Sequence, residues 1–238
     1  MLYWFQLWRE FKLSVAEILA VFPEWKIEYL DKKFLIIDDL DENVVLKKAN
    51  FLWWTIKIVS FLKCNDKYEI EKNILNIATE KKWKFNYWLS VFWRESNLKS
   101  SLIEIKKYLK SNSVSSRFIN KDFANLSSAQ IIWEWLIERG SDFTVISLPP
   151  REDIEYYFWT TVWVQDIEAY SKRDYEKSRD MDIWMLPPKL SQIMINLNNF
   201  ITHPPHTSGT SLNTNGRLQS SLYDPFCGLW TILIEGVY

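Results

Sequence analysis

Glycine is scarce in this chain. Its 238 residues include 5 Gly, where average usage of about 7% would supply about 17. Cysteine is limited to Cys64 and Cys227, far apart and outside any Cys-x-x-Cys pair. That excludes a disulfide framework or a zinc ribbon and fits a reducing, cytoplasmic setting. The start "MLYWFQLWRE" has no basic stretch ahead of an apolar one, so it lacks the form of a signal peptide. The longest apolar run, near 51–62, is interrupted by Lys57 and falls short of the roughly 20 residues needed to cross a bilayer. Two histidines, His203 and His206 in "HPPH", have no supporting Cys or Asp cluster, so no metal is expected. Net charge is −1, and the total alone points to no polyanionic partner.

Tryptophan is what the chain has in excess. There are 14 Trp, and Trp plus Gly together come close to the ordinary Gly share. Several Trp occupy places where a chain turns: Trp53-Trp54 in "FLWWTIKI", Trp83 in "KKWKFNYW", Trp184 in "MDIWMLPPK" and Trp230 in "DPFCGLWTIL". Such positions ordinarily take Gly, for positive φ or for close backbone approach. Two explanations stand. The tryptophans form an aromatic surface that stacks on bases, or the gene uses a code in which UGA means Gly and the standard table has written Trp.

Hydrophobic residues make up 47% of the chain, enough for real cores. The patterns predict an α/β (α+β) protein in several parts. Residues 1–60 form a first α+β unit: an apolar strand-like start, a helix opened by the capping-box pattern "SVAE" at 14–17 and stopped before Pro23, a strand "FLIID" at 34–38, and a helix at 41–50. Residues 61–150 form a second unit. It has a helix "YEIEKNILNIATE", a strand "FNYWLSVF" with Tyr87, Leu89 and Val91 on one face, and a helix with Leu98, Leu102, Ile105 and Leu109 directed at a core. A second capping box, "SSAQ" at 127–130, opens a helix that Gly140 is placed to stop, and "FTVIS" at 143–147 is a strand. Residues 151–180 read as a connector with a strand, "TTVWVQDIEAY". Its Asp166, Glu168, Arg173, Asp174, Arg179 and Asp180 suit salt-bridging better than acid–base catalysis. Residues 181–238 begin a third part. A Pro-started helix at 185–197 presents Leu190, Ile193, Met194 and Leu197 on one side. A polar stretch at 198–221 then leads to "LYDPFCGLWTILIEG".

Charge is concentrated. Residues 81–121 hold ten Lys/Arg and two Glu, a net of +8. Lys81, Lys82, Lys84, Arg94, Lys99, Lys106, Lys107, Lys110, Arg117 and Lys121 make either a phosphate-binding surface or a solvated helix face that happens to be basic.

With Gly read for Trp, the blocks "VQDIEAYSKRDY", "RDMDIWMLPPKL" and "DPFCGLWTIL", in that order, resemble the tRNA guanosine-10 N2-methyltransferases and their THUMP-bearing bacterial relatives. The segment "SSRFINKDFANLSSAQ" at 115–130 is similar to the heart of THUMP domains. The resemblance implies an N-terminal ferredoxin-like unit (1–60), a THUMP RNA-binding domain (61–150), a connector (151–180) and the start of a Rossmann-like domain (181–238) that binds S-adenosylmethionine. It implies a tRNA partner gripped at its acceptor region. With an RNA partner implied, the basic segment makes Lys84, Arg94, Lys99, Lys106, Lys107, Lys110, Arg117 and Lys121 the candidates for RNA binding, and Arg173 and Arg179 of the connector are further candidates. On Asp224, Pro225, Phe226, Cys227, Gly228, Trp230 and Thr231, with Pro187 and Pro188 shaping the pocket beside Lys189, the resemblance puts cofactor binding. Asp224 ends the strand, and residues 228 and 230 let the backbone approach the cofactor. Cys227 suits a small buried thiol better than a nucleophile.

The family's catalytic Asp/Asn-Pro-Pro-Tyr/Phe motif does not occur: "LPPR", "LPPK" and "HPPH" differ, and "DPFC" lacks the second Pro. The acidic residue that holds the cofactor ribose is missing too. Both are expected beyond residue 238, so no catalytic residue is assigned and the chain by itself is expected to be inactive. A non-catalytic THUMP-type RNA-binding module, or a methyltransferase of another nucleic acid, are the alternatives.

Overall fold

The computed structural model describes residues 1–22, 26–64, 67–81, 84–92, 98–120, 125–146, 156–176 and 186–202. Along the chain run β1 (Tyr3–Leu7), α1 (Phe11–Val21), β2 (Lys26–Leu30), β3 (Phe34–Asp38) and α2 (Glu42–Lys48). A 3-10 turn (Ala49–Phe51), β4 (Thr55–Cys64), α3 (Lys67–Thr79), β5 (Phe85–Phe92), α4 (Leu98–Ser111) and β6 (Ser116–Phe118) follow. The last elements are α5 (Ser128–Trp133), β7 (Asp142–Ile146), β8 (Tyr156–Val164), α6 (Ile167–Glu176) and α7 (Pro188–Thr202). The protein is mixed α/β, as its patterns predict. Among the described residues no helix is long and apolar enough to cross a membrane.

Two compact units divide the chain. One holds Met1–Trp4 and Lys57–Val164; the other holds Phe5–Ile56 and the described residues from Gln165 onward. The chain opens with the succession β1-α1-β2-β3-α2-β4, with strands in the order β2-β3-β1-β4; the latter unit holds α1, β2, β3 and α2 whole, and the division falls within β1 and β4. That succession is the ferredoxin-like βαββαβ motif. β2 and β3 pair antiparallel, with a bulge between Ile27 and Tyr29. Phe34 to Ile37 of β3 are all buried, as are Tyr3 to Phe5 of β1, so these strands are apolar on both faces. Asp41 caps α2 by accepting from Asn43 N (2.9 Å) and Val44 N (3.2 Å).

In the other unit the strand order is β4-β8-β7-β5-β6. β8 runs antiparallel to both β4 and β7, while β5 lies parallel to β7 and β6. One face of this sheet carries Tyr87, Leu89, Phe143 and Phe158. Against it pack Ile70, Ile74 and Ala78 of α3 and Leu102, Ile105 and Leu109 of α4, spaced as a helix face requires. The Tyr87 hydroxyl donates to Leu102 O at 2.9 Å, and burial pushes its phenol pKa up. A buried ion pair joins the strands. Lys57 Nζ lies 3.0 Å from Asp142 Oδ2 and 3.2 Å from Thr144 Oγ1, and Thr161 donates to the same carboxylate oxygen.

Several local expectations need correction. "SVAE" does not open a helix: α1 starts at Phe11, and no side chain caps it. Ser14 and Glu17 sit inside the helix, where the backbone N–H groups already have partners, so their side chains reach another part of the chain. "QDIEAY" is not strand. β8 ends at Val164, and Asp166 Oδ1 accepts from Ala169 N at 3.1 Å to start α6. The capping box at Ser127–Gln130 is present in full, but α5 ends at Trp133, before Gly140. Trp135 takes φ +55° and Gly140 φ +59°, so the chain turns twice where one stop was expected.

Candidate functional site

The basic residues that the structure describes lie on α4, on β6 and just ahead of β5. Because Leu102, Ile105 and Leu109 face the core, Lys99, Lys106, Lys107 and Lys110 are left on the exposed side of α4. β6 pairs with β5 so that Arg117 stands opposite Asn86, two residues past the exposed Lys84. Lys106 Nζ lies 5.4 Å from the Phe118 ring centroid, which ties the α4 face to β6. Arg117 Nη2 is 3.7 Å from Glu134 Oε2, with the arginine side chain 52% exposed. An ion pair this open adds little stability, so the guanidinium stays available to a phosphate. The structure therefore brings Lys84, Lys106 and Arg117 to neighbouring elements and lines Lys99, Lys107 and Lys110 along the same helix. Arg94, Lys121 and Arg179 lie outside the described residues, as does the side chain of Arg173. Tryptophans 133 and 135 are 68% and 60% exposed.

Of the residues assigned to the cofactor, Asp224 to Gly228, Trp230 and Thr231 lie outside the described residues. Pro187 and Pro188 are described, and they open a helix. Pro188 is the first residue of α7, where its missing N–H costs nothing. The Pro187 carbonyl accepts from Leu190 N (3.0 Å) and Ser191 N (3.1 Å). Lys189 Nζ sits 3.3 Å from Gln165 Oε1 and 4.4 Å from the Trp8 ring centroid, and burial lowers its pKa.

α7 is rotated from its expected orientation. Leu190 and Met194 are 37% and 47% exposed, whereas Gln192, Ile193 and Asn196 are buried. Ile193 packs on Trp53, with Leu197 and Trp54 at the margin. Asn196 explains the rotation. Its Nδ2 donates to Glu17 Oε1 at 3.0 Å and to Phe51 O at 2.8 Å. Glu17, 0% exposed, also accepts from Trp53 N at 3.0 and 3.1 Å and from Trp54 N at 2.8 Å. Burial pushes its carboxyl pKa up to about 7 against the opposing effect of these N–H donors. Ser14 Oγ donates to Trp54 O at 2.7 Å, and Gln165 Nε2 donates to Trp53 O. The residue patterns do not foretell this hub. Its only signal in the sequence is the polar–apolar mismatch inside two helices. Among the described residues no cluster of three or more His, Cys, Asp or Glu is placed to hold a metal.

No protein-family profile matches the chain, and no curated protein matches it. Solved structures do. The chain is similar to PH1313 from Pyrococcus horikoshii Ot3 at 10% identity, covering 67% of this chain and 53% of that one, with a TM-score of 0.42. It is similar to a 4-thiouridine synthetase crystallised as an RNA complex with bound ATP, at 15% identity, 67% and 40% coverage and a TM-score of 0.40. It is also similar to TrmN from Thermus thermophilus, at 12% identity, 83% and 54% coverage and a TM-score of 0.42. The chain thus spans about half the length of the solved structures it resembles.

Proposed function

We propose that this chain is the RNA-gripping part, and the beginning of the cofactor domain, of an S-adenosylmethionine-dependent tRNA guanine-N2 methyltransferase. The observation that carries the reading is the ordered set of blocks "VQDIEAYSKRDY", "RDMDIWMLPPKL" and "DPFCGLWTIL". The α7 start at Pro188, within the second block, supports it. In this reading residues 1–60 and 61–150 hold the acceptor region of tRNA, 151–180 connect, and 181–238 begin the Rossmann-like domain. The cofactor supplies an electrophilic methyl group. Asp224, Gly228, residue 230 and Thr231 hold it, and Pro187 and Pro188 shape the wall of its pocket. Methyl transfer needs the Asp/Asn-Pro-Pro-Tyr/Phe motif that residues 1–238 do not contain, which favours RNA binding without catalysis for this chain alone.

The basic face is the part open to direct test. Binding of tRNA by the 238-residue chain is expected to weaken as salt rises. Replacing Lys99, Lys106 and Lys110 with Ala should flatten the slope of log K against log salt by about 0.7–0.9 for each phosphate that is no longer neutralised. A salt-independent affinity, or a slope that the triple variant leaves unchanged, removes these lysines from the interface.

The reading includes glycine at the 14 Trp codons. Trp135 has φ +55°, a region that bulky L-residues rarely enter. Trp88 and Trp159 are fully buried on β5 and β8, and their indole Nε1 atoms have no hydrogen-bond partner, unlike most buried Trp. Peptide mass spectrometry of the protein from its native cells is expected to show Gly at residues 88, 135 and 159. Trp there removes the recoding as the explanation.

A further inference from the structure

The 51–54 turn carries an unusual set of bonds. Glu17 of α1 takes Trp53 N and Trp54 N, Ser14 of α1 donates to Trp54 O, and Gln165 donates to Trp53 O. Asn196 of α7 donates both to Glu17 and to Phe51 O. Lys189, at the start of α7, reaches Gln165 Oε1. The bonds form a closed circuit from α7 through Gln165, the turn and α1, and back to α7. Glu17 is no candidate for catalysis: it is 0% exposed, and its carboxylate is taken up by donors from the protein itself.

Among the described side chains of α7, Ile193 is fully buried, while Leu190 and Met194 are exposed. A smooth apolar surface tolerates a helix sliding or rotating by a step. A buried amide that must meet one carboxylate and one carbonyl does not, because any other register leaves polar groups unpaired.

We infer that Glu17 and Asn196 are positioning residues that fix the register of α7 on α1, and so set where the N-terminal end of α7, Pro187 and Pro188, stands for the cofactor-binding sequence that follows. The functional half of this inference rests on the methyltransferase reading; the structural half does not.

Hydrogen exchange followed by mass spectrometry on the full 238-residue chain tests it. In Asn196→Ala, peptides from 188–202 are expected to exchange about tenfold faster or more, since a buried carboxylate and carbonyl are deprived of their donor. Peptides from β5 and β7 should keep their wild-type rates. Asn196→Asp should exchange faster still, with two carboxylates facing each other. The double variant E17Q/N196D re-forms an amide–carboxylate pair with the donor reversed, and is expected to regain protection over N196D. Wild-type exchange across 188–202 in N196A overturns the inference. So does acceleration spread evenly over the chain, or a failure of E17Q to rescue N196D. Titration with S-adenosylmethionine is the second readout. N196A should weaken binding about tenfold while the α4 lysine variants leave it unchanged. A wild-type 238-residue chain that does not bind S-adenosylmethionine shows that Asp224 to Thr231 do not suffice to hold it and removes the functional half, and the exchange result still decides on the hub. A chain that binds it equally well with and without Asn196 removes the coupling.

Discussion

Lys57→Met is expected to cost about 3–5 kcal/mol of stability, because it strands a buried carboxylate without its cation. Lys57 and Asp142 are 4% and 1% exposed, and 85 residues of chain separate them. Asp142 Oδ2 is shared by Lys57 and Thr161, while Asp142 Oδ1 already lacks a hydrogen-bond partner. The carboxylate therefore has no spare donor to fall back on. Urea unfolding followed by far-UV circular dichroism reads the effect as a lower midpoint. The double variant K57M/D142L should recover most of it, since paired apolar replacements of a buried ion pair are often neutral. A single variant that costs less than about 1 kcal/mol, the scale of an exposed pair, shows that the two charges are hydrated in solution.

The second large effect belongs to Glu17 and is a dependence on pH. Burial raises its carboxyl pKa from 4.5 to about 7. Between these values the folded chain keeps a proton that the unfolded chain has released. Stability from this group is therefore full below about pH 4.5, falls as pH rises toward 7, and is level above that. At about 1.4 kcal/mol per unit, the fall amounts to about 3 kcal/mol. Glu17→Gln removes the titration. Its unfolding midpoint should stay level between pH 4.5 and 7 while that of the wild type declines. Parallel pH profiles for the two proteins would assign the titration to another group.

Elements with strong local signals were legible in the sequence. The 4-3-4 spacing of Leu98, Leu102, Ile105 and Leu109 is answered by α4, and "SSAQ" by a complete capping box. Phe34 to Asp38 and Phe85 to Phe92 are strands as read, and the basic face follows once the apolar face of α4 is fixed. What was not legible depends on partners distant in sequence. "SVAE" fits a capping box by spacing, but Ser14 and Glu17 meet residues 36 to 40 positions away. Leu190, Ile193, Met194 and Leu197 fit one stripe of α7. Asn196 turns the helix because the carboxylate waiting for it is 179 residues upstream, and no window of sequence contains both. Three-residue β6 and bulged β2 carry too little apolar pattern to stand out. The proposed cofactor loop was read from motif resemblance alone.

The discontinuity of one unit has a consequence for synthesis on the ribosome. Residues 57–164 emerge as an uninterrupted piece, but residues 5–56 share their unit with residues that follow Gln165. At about 5–20 residues per second, the ribosome needs about 5–20 s to deliver the intervening stretch. Over that interval Glu17 and the peptide groups of the 51–54 turn are made but lack Gln165 and Asn196. Residues 5–56 are thus completed only after residues 57–164 have been made, and a nascent chain stalled before residue 196 should leave them open to proteases.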